Sequence, residues 1–245
     1  ELGNIYFCGA LNGDLDFNGT KLSATKGGAY FGKATKTGTI VWLKNGGTAS
    51  PYFAAANDIT LDKNGNVYVC GSIPANQIAS FENNSLSASS GGFVAKYSNT
   101  GNFIWAKGYF LPIYGIAVDG NNTPVIHYES EIIKINSSNG ELINTIWGTI
   151  SGNNINAKYH NIIIDSGNNI IVQAGNKVVK YDTNFNVIWS TPVISSLAET
   201  YRISLDNQGN VYGSFYALFG TVTVGTIAKS VFPNGYMYKL DANTG

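Results

Sequence analysis

The sequence has few charged side chains, and those it has cancel. Only 12% of the 245 residues are charged, and fifteen lysines and arginines balance fifteen aspartates and glutamates. A chain without a net charge does not attract nucleic acid or an anionic membrane surface. We therefore expect no nucleic-acid partner.

Long apolar runs are also missing. No stretch approaches the roughly 18 apolar residues that cross a bilayer. The first residues, Glu1–Ile5, do not join a basic segment to an apolar one, as a signal peptide would. We expect neither a transmembrane segment nor a signal peptide in this sequence. This expectation is compatible with an exported protein whose signal peptide has been removed.

Residues that usually carry chemistry are rare. There are two histidines, His127 and His160, with no third ligand at a spacing typical of a metal site. The sequence has neither a Gly-x-Ser-x-Gly elbow nor a glycine-rich phosphate loop. Cys8 and Cys70 lie in near-identical contexts, so we expect two buried thiols too far apart for a disulfide. We predict no catalytic residues, no cofactor and no metal.

Turn-forming and strand-forming residues make up much of the remainder. Glycine occurs 29 times, and Asn, Ser and Thr crowd the segments between short apolar runs. These runs alternate apolar and polar positions and are rich in Val, Ile, Tyr and Phe, which is typical of β-strands. The composition predicts an all-β protein.

Tryptophan marks an internal repeat. Each of the four tryptophans follows an Ile or Val, at Trp42, Trp105, Trp147 and Trp189. A lysine closes an apolar run ahead of each one and again near the end of the chain, at Lys33, Lys96, Lys134, Lys180 and Lys239. The tryptophans recur every 40 to 60 residues or so, a period typical of propeller blades.

An aspartate followed by Gly and Asn is the third mark of the repeat, at Asp62, Asp119, Asp165 and Asp206. An Asp side chain can cap a turn, and Gly or Asn can adopt the positive φ of a tight hairpin. We therefore assign the aspartates a structural role, in preference to a ring of acids that binds a cation. The periodic lysines receive a structural role at a strand end for the same reason.

Each repeat is predicted to contain four antiparallel strands, A to D. In the second repeat strand A ends at Asp62, B spans Val67–Ser72, C spans Phe93–Tyr97 and D carries Trp105. This arrangement predicts a β-propeller of four-stranded antiparallel blades. About five blades are represented, the first without strand A and the last without strand D, and a ring of about seven blades would accommodate them.

We interpret residues 1–245 as one β-propeller domain or a segment of one, with repeats at approximately 1–49, 50–110, 111–152, 153–194 and 195–245. The first, second and last repeats carry long segments between strands B and C, where a ligand would be sought. Because incomplete end blades leave sheet edges open, we expect further blades or strands from a longer chain.

The second repeat closely resembles the SBBP family of bacterial β-propeller repeats. The resemblance rests on Asp58–Asp62, Gly65–Ser72 and Gly92–Lys107, and Gly13–Thr20 adds the middle segment of that family. SBBP repeats are common in secreted and surface proteins of bacteria, including Asn- and Thr-rich proteins of the Bacteroidota. The resemblance implies an extracellular or surface location and a scaffold or adhesin-like role, but no ligand.

A second resemblance is to the repeats of pyrroloquinoline-quinone enzymes. The turn Leu240–Gly245 looks like the turn that precedes a tryptophan in that family. The resemblance implies that the tryptophan side chains dock neighbouring blades. The adjacent cysteine pair that lies against the quinone in many of those enzymes is absent from this sequence, so we expect no quinone.

Two segments have alternative interpretations. Asp14–Gly19 matches the opening of a calcium loop, although the bidentate acid expected later in the loop is Thr25, and alternation at Leu15 and Phe17 favours a half-buried strand. Aromatic residues in the D-to-A connections, Tyr52–Phe53 and Tyr109–Phe110, are suited either to packing between blades or to stacking on sugars.

The leading functional hypothesis is a non-catalytic extracellular or surface propeller that acts as an interaction or scaffold module, with a protein or glycan of the cell surface as partner. Two alternatives remain. One is a carbohydrate-binding, lectin-like propeller that uses loop aromatics. The other is a propeller hydrolase or lyase with its active site on the loops, which could use His127 or His160.

Overall fold

The computed structural model describes residues 3–11, 13–22, 28–48, 54–87, 89–128, 131–143, 148–149, 161–174, 177–193, 198–217, 220–231 and 233–245. They form 24 β-strands, β1 to β24. None of the described residues belongs to a helix long and apolar enough to span a membrane. Two compact units divide the chain, Glu1–Glu129 with Lys134–Ile143, and Ser130–Ile133 with Asn144–Gly245.

The second repeat, in the first unit, forms a complete four-stranded antiparallel sheet, which we call the second blade. Its strands are β6 (Ala55–Leu61), β7 (Val67–Ser72), β10 (Gly92–Tyr97) and β11 (Phe103–Tyr109). They lie in the order β11-β10-β7-β6, which is D-C-B-A in the notation of the repeat. The predicted blade is confirmed.

The first repeat provides strands B, C and D of the first blade. These are β1 (Ile5–Ala10), β4 (Gly28–Ala34) and β5 (Ile40–Gly47). Two short strands from the second repeat, β8 (Ser80–Phe81) and β9 (Asn84–Ser85), extend this sheet beyond β5. The first unit also contains the antiparallel pair β12 (Ile113–Val118) and β13 (Pro124–Tyr128).

The second unit contains two larger sheets. The fourth blade has β16 (Ile162–Ile164), β17 (Ile170–Ala174), β18 (Lys177–Tyr181) and β19 (Val187–Pro192), paired in chain order. The fifth blade has β20 (Ala198–Leu205), β21 (Val211–Ala217) and β24 (Asn234–Leu240). In addition, β14 (Glu131–Lys134) pairs with β15 (Gly148–Thr149).

The long segments between strands B and C fold as small hairpins. They are β2 (Leu15–Phe17) with β3 (Thr20–Leu22), β8 with β9, and β22 (Gly220–Val224) with β23 (Ile227–Val231). In the first hairpin Asn18 and Gly19 adopt φ of 49° and 89°, the left-handed region that a two-residue turn requires. Asp14–Gly19 therefore lies in a strand and turn, as the alternation of Leu15 and Phe17 predicts, and Thr25 lies outside the described residues.

Each unit has its own apolar core. In the first unit Phe31 and Trp42 of the first blade pack with Val69, Phe93 and Tyr97 of the second. The Phe31 and Tyr97 ring centroids are 5.0 Å apart. Full burial of side chains of this size contributes roughly 1.5–3 kcal/mol each to folding. The second unit has an equivalent core that includes Ile171, Trp189 and Phe215.

The prediction of two buried thiols is wrong for one of them. Cys70 is fully buried, whereas Cys8 is only half-buried, and neither forms a disulfide. The reason is the difference between the two blades. Cys70 lies in a strand covered on both sides by β6 and β10, whereas among the described strands of its sheet β1 pairs only with β4.

Candidate functional site

The periodic aspartates lie in the hairpin turns between strands A and B. Asp62 follows β6, and its Oδ1 accepts hydrogen bonds from the backbone N–H groups of Asn64 and Asn66, at 2.9 and 2.8 Å. The same two-bond pattern recurs at the other three aspartates, Asp119, Asp165 and Asp206. Each of these side chains therefore supports the turn between strands A and B.

Three of these aspartates also face the periodic lysine of their own blade. Lys180 Nζ lies 2.9 Å from Asp165 Oδ2, and the corresponding distances from Lys96 to Asp62 and from Lys239 to Asp206 are both 3.9 Å. The lysine is the penultimate residue of strand C and lies beside the turn that the aspartate caps. The pair thus ties the A–B turn to the third strand of the blade.

For each of these groups, burial and the contacts with its partners have opposite effects on the pKa. Burial lowers the pKa of Lys96, and the nearby Asp62 carboxylate only partly offsets this effect. Burial raises the pKa of Asp165, but hydrogen bonds from Lys180 and Asn169 outweigh it and hold the pKa below its ordinary value. The Lys96 ammonium also lies 4.8 Å from the centre of the Tyr68 ring, a cation–π contact.

The lysine and the tryptophan of a blade donate to one backbone carbonyl in the next repeat. Lys96 Nζ and Trp105 Nε1 donate to the oxygen of Ser137, at 2.8 and 3.1 Å. Lys33 and Trp42 share the oxygen of Asn99, and Lys180 and Trp189 share that of Ala242. We call this three-residue arrangement the Lys–Trp clamp.

The acceptor of each clamp lies in the turn between strands C and D, ahead of a glycine. Gly101, Gly140 and Gly245 have φ of 84°, 72° and 83°. A Cβ added to Gly101 would lie 2.8 Å from Trp42, and equivalent atoms on the other two would lie 2.7 and 2.8 Å from Trp105 and Trp189. Glycine is required there both by its φ and because the indole covers the turn.

The clamp accounts for the described tryptophans. Trp42, Trp105 and Trp189 each join strand D of one repeat to the C–D turn of the next. Trp147 lies outside the described residues. The sequence revealed the lysine, the tryptophan and the turn separately, but their common acceptor is a main-chain oxygen, which any residue provides.

The structure describes one of the two histidines. His127 is 1% exposed, within β13, and His160 lies outside the described residues. Across the part of the chain that the structure describes, no three His, Cys, Asp or Glu side chains form a group that could hold a metal ion.

The aromatic residues predicted for the second D-to-A connection differ in position and exposure, since Tyr109 ends β11 and Phe110 follows it. Tyr109 is buried, and its hydroxyl donates to the oxygen of Gly140 at 2.6 Å. Phe110 is 74% exposed. Tyr109 is therefore part of the packing between repeats, and Phe110 is available to a partner. Tyr52 and Phe53, from the first connection, lie outside the described residues.

Sequence comparison defines the class of protein. Residues 55–76 match the family model described as SBBP, beta-propeller repeat. The matched segment contains β6, its capped turn and β7, in the blade with all four strands. Together the match and the repeated antiparallel sheets identify a β-propeller repeat protein.

Comparison with solved structures finds similar chains at low sequence identity. BamB from Moraxella catarrhalis is 10% identical over 94% of this chain and 64% of its own, with a TM-score of 0.51. A Bacteroides caccae protein of unknown function is 13% identical over 75% and 63%, with a TM-score of 0.49. The PQQ domain of pyranose dehydrogenase from Coprinopsis cinerea is 14% identical over 81% and 56%, with a TM-score of 0.47.

The chain spans less than two thirds of the length of each of these three structures. A comparison with curated proteins finds no match. At such low identity the similarity to BamB shows the fold alone.

Proposed function

We propose that this protein is a non-catalytic β-propeller that acts as an interaction or scaffold module outside the cell or at its surface. The supporting observation is the use of the periodic polar side chains. In each clamp that the structure describes, lysine and tryptophan join repeats, and the periodic aspartates cap turns. These residues maintain a rigid framework, so they are not available as a catalytic set.

A partner of such a framework would bind to residues that the clamps leave exposed. Among the described residues of the second repeat, Phe110 is the most exposed aromatic side chain, and it directly follows the buried Tyr109. Aromatic residues on rigid supports are frequent anchors of protein interfaces because they bury much area at little conformational cost. We therefore propose Phe110 as a contact for a protein partner.

Binding to a panel of purified extracellular proteins tests this function. The wild-type chain should retain at least one of them, and Phe110→Asp should weaken that binding about tenfold or more, the loss expected for an interface anchor. Val187→Asp is the matched control, because Val187 is also an exposed apolar residue (58%) but lies in the second unit. Equal loss in both variants would contradict the role of Phe110.

The same exposed ring supports glycan binding as the second candidate function, since aromatic rings stack on sugars. A glycan array distinguishes the two: binding to glycans that Phe110→Asp abolishes, with no binding to proteins, would favour the lectin-like function. Turnover in a panel of hydrolase and lyase substrates that is lost in His127→Ala or His160→Ala would refute the non-catalytic proposal.

A further inference from the structure

The first blade has a face that the described residues leave partly exposed, and the equivalent face of the second blade is buried. In the second repeat Val69, Phe81 and Phe93 are fully buried in the core that joins the first and second blades. Strand register gives the equivalent positions. Gly71 pairs with Phe93 in the second blade, and Gly9 pairs with Tyr30 in the first.

The corresponding side chains of the first repeat are Phe7 and Tyr30 of the first blade and Phe17 of the β2–β3 hairpin, and all three are half-exposed. Their ring centroids are 5.3, 6.3 and 6.4 Å apart, and the ring planes are inclined to each other by 49° to 53°. They lie on the opposite side of the sheet from Phe31, which packs in the core with the second blade. The first blade therefore has an aromatic cluster on the face that points away from the second blade.

The C–D turn of the first blade has the geometry of a clamp acceptor. Gly38 has φ of 85°, as at Gly101. No described atom lies within 4 Å of a Cβ added to Gly38, whereas an indole covers the equivalent glycines of three later turns. The backbone carbonyl equivalent to those of Asn99 and Ser137 is that of Lys36, the second residue of the turn.

We propose that this face, formed by Phe7, Phe17, Tyr30 and the turn Thr35–Gly38, binds a further propeller blade of the same repeat type. The incoming blade carries a lysine and a tryptophan whose N–H groups donate to the Lys36 carbonyl, and its indole covers Gly38. Its apolar side chains pack against the aromatic cluster. The three clamps within the chain are copies of this interface.

The shape of the cluster favours a blade over a sugar. A pyranose ring stacks on a flat aromatic surface, whereas three rings inclined by about half a right angle form an uneven surface suited to interdigitating side chains. The Gly38 turn adds a second feature, because its bare backbone admits a flat ring at close range. Only a partner with both an apolar face and a projecting indole uses the two features together.

The test joins a second copy of residues 54–121 directly ahead of Gly3. In that fusion the copied β12 becomes strand A of the first blade, and the copied Lys96 and Trp105 face the Thr35–Gly38 turn as they otherwise face the turn of Ser137. The control fusion carries Lys96→Ala and Trp105→Ala in the copied segment alone. Hydrogen exchange of the backbone amides is measured in both fusions and in the unfused chain.

We expect the amides of Thr35–Thr39 to exchange about tenfold or more slowly in the fusion than in the unfused chain, and the control fusion to exchange at the rate of the unfused chain. Amides of Ser98–Asn102 report the internal clamp and should stay equally protected in all three, which verifies folding. Equal exchange at Thr35–Thr39 in both fusions would overturn the proposal. So would concentration-dependent protection of these amides in the unfused chain, which would instead place a second copy on this face.

Discussion

Replacing Trp105 with Phe and Lys96 with Met should destabilise the protein by more than the sum of the two separate effects. Both side chains donate to the Ser137 oxygen, at 3.1 and 2.8 Å. Either single replacement leaves that partly buried carbonyl with one donor. The double replacement leaves it with neither.

The magnitudes follow from the hydrogen bonds that are lost. Trp105→Phe removes a neutral donor, worth about 1 kcal/mol, together with part of the indole area. Lys96→Met removes a charged donor, worth about 1.5–3 kcal/mol. It also takes the cation from the buried Asp62, which adds to the loss. Loss of the last donor adds the desolvation cost of the carbonyl, so we expect an extra interaction energy of about 1 kcal/mol.

Urea unfolding of the wild type, the two single variants and the double variant measures this interaction energy as a double-mutant cycle. Lys44→Met provides the control cycle with Trp105→Phe, since Lys44 pairs with Glu82 and has no part in the clamp. That cycle should be additive. Additivity within about 0.3 kcal/mol for Lys96 and Trp105 as well would refute the shared-acceptor reasoning.

Three further predictions concern the turns, an ion pair and the thiols. Gly101→Ala should destabilise by about 2–4 kcal/mol in urea unfolding, because it combines positive φ with displacement of an indole, whereas Gly38→Ala, with the same φ and no covering ring, should cost about 1–2 kcal/mol. Equal costs would contradict the role of the indole. The pKa of Asp165 is lowered in the folded state, so its stabilisation is present above its unfolded pKa of about 3.9 and is lost as pH falls through the folded value. The urea midpoint of the wild type should therefore decrease as the pH is lowered below about 4, and it should decrease less steeply in Asp165→Asn. Parallel plots of midpoint against pH for the two proteins would count against this. Cys8 should react with a thiol reagent in the native protein and Cys70 only on unfolding; equal rates would be the contrary result.

Much of the fold could be predicted from the sequence because propeller strands are local and periodic. The predicted bounds of strand B, Val67–Ser72, are those of β7, and strand C begins one residue earlier than predicted, at Gly92. In three repeats the tryptophan follows nine residues after the lysine, and in the third, Lys134 to Trp147, it follows after thirteen. The nine-residue spacing has a simple cause. Lys96 and Trp105 are directly opposite each other in the hairpin of β10 and β11, so the length of the turn fixes their separation.

The clamp could not be predicted to the same extent. Its acceptors are the main-chain oxygens of Asn99, Ser137 and Ala242, three different residues, because a carbonyl oxygen imposes no demand on the side chain. The glycine that follows each acceptor is the one sequence signal, and it resembles any turn glycine. The exposed fraction of Cys8 also depends on the neighbours of its strand, which the matching sequence contexts of the two cysteines do not encode.

The repeats distinguish residues that maintain the fold of this protein from residues that could recognise a partner. A residue that recurs from repeat to repeat stabilises a feature that the repeats share, such as a turn or the contact with the next repeat. The clamps and capped turns have the same hydrogen bonds in both units. A ligand that binds one place on the molecule must be recognised by what differs between repeats. Among the described residues, the hairpins β2–β3, β8–β9 and β22–β23 belong to the repeats with long B–C segments, and their lengths and most of their side chains differ. The periodic residues therefore identify the fold, and the search for a partner belongs on these hairpins and on exposed connections such as the one that carries Phe110.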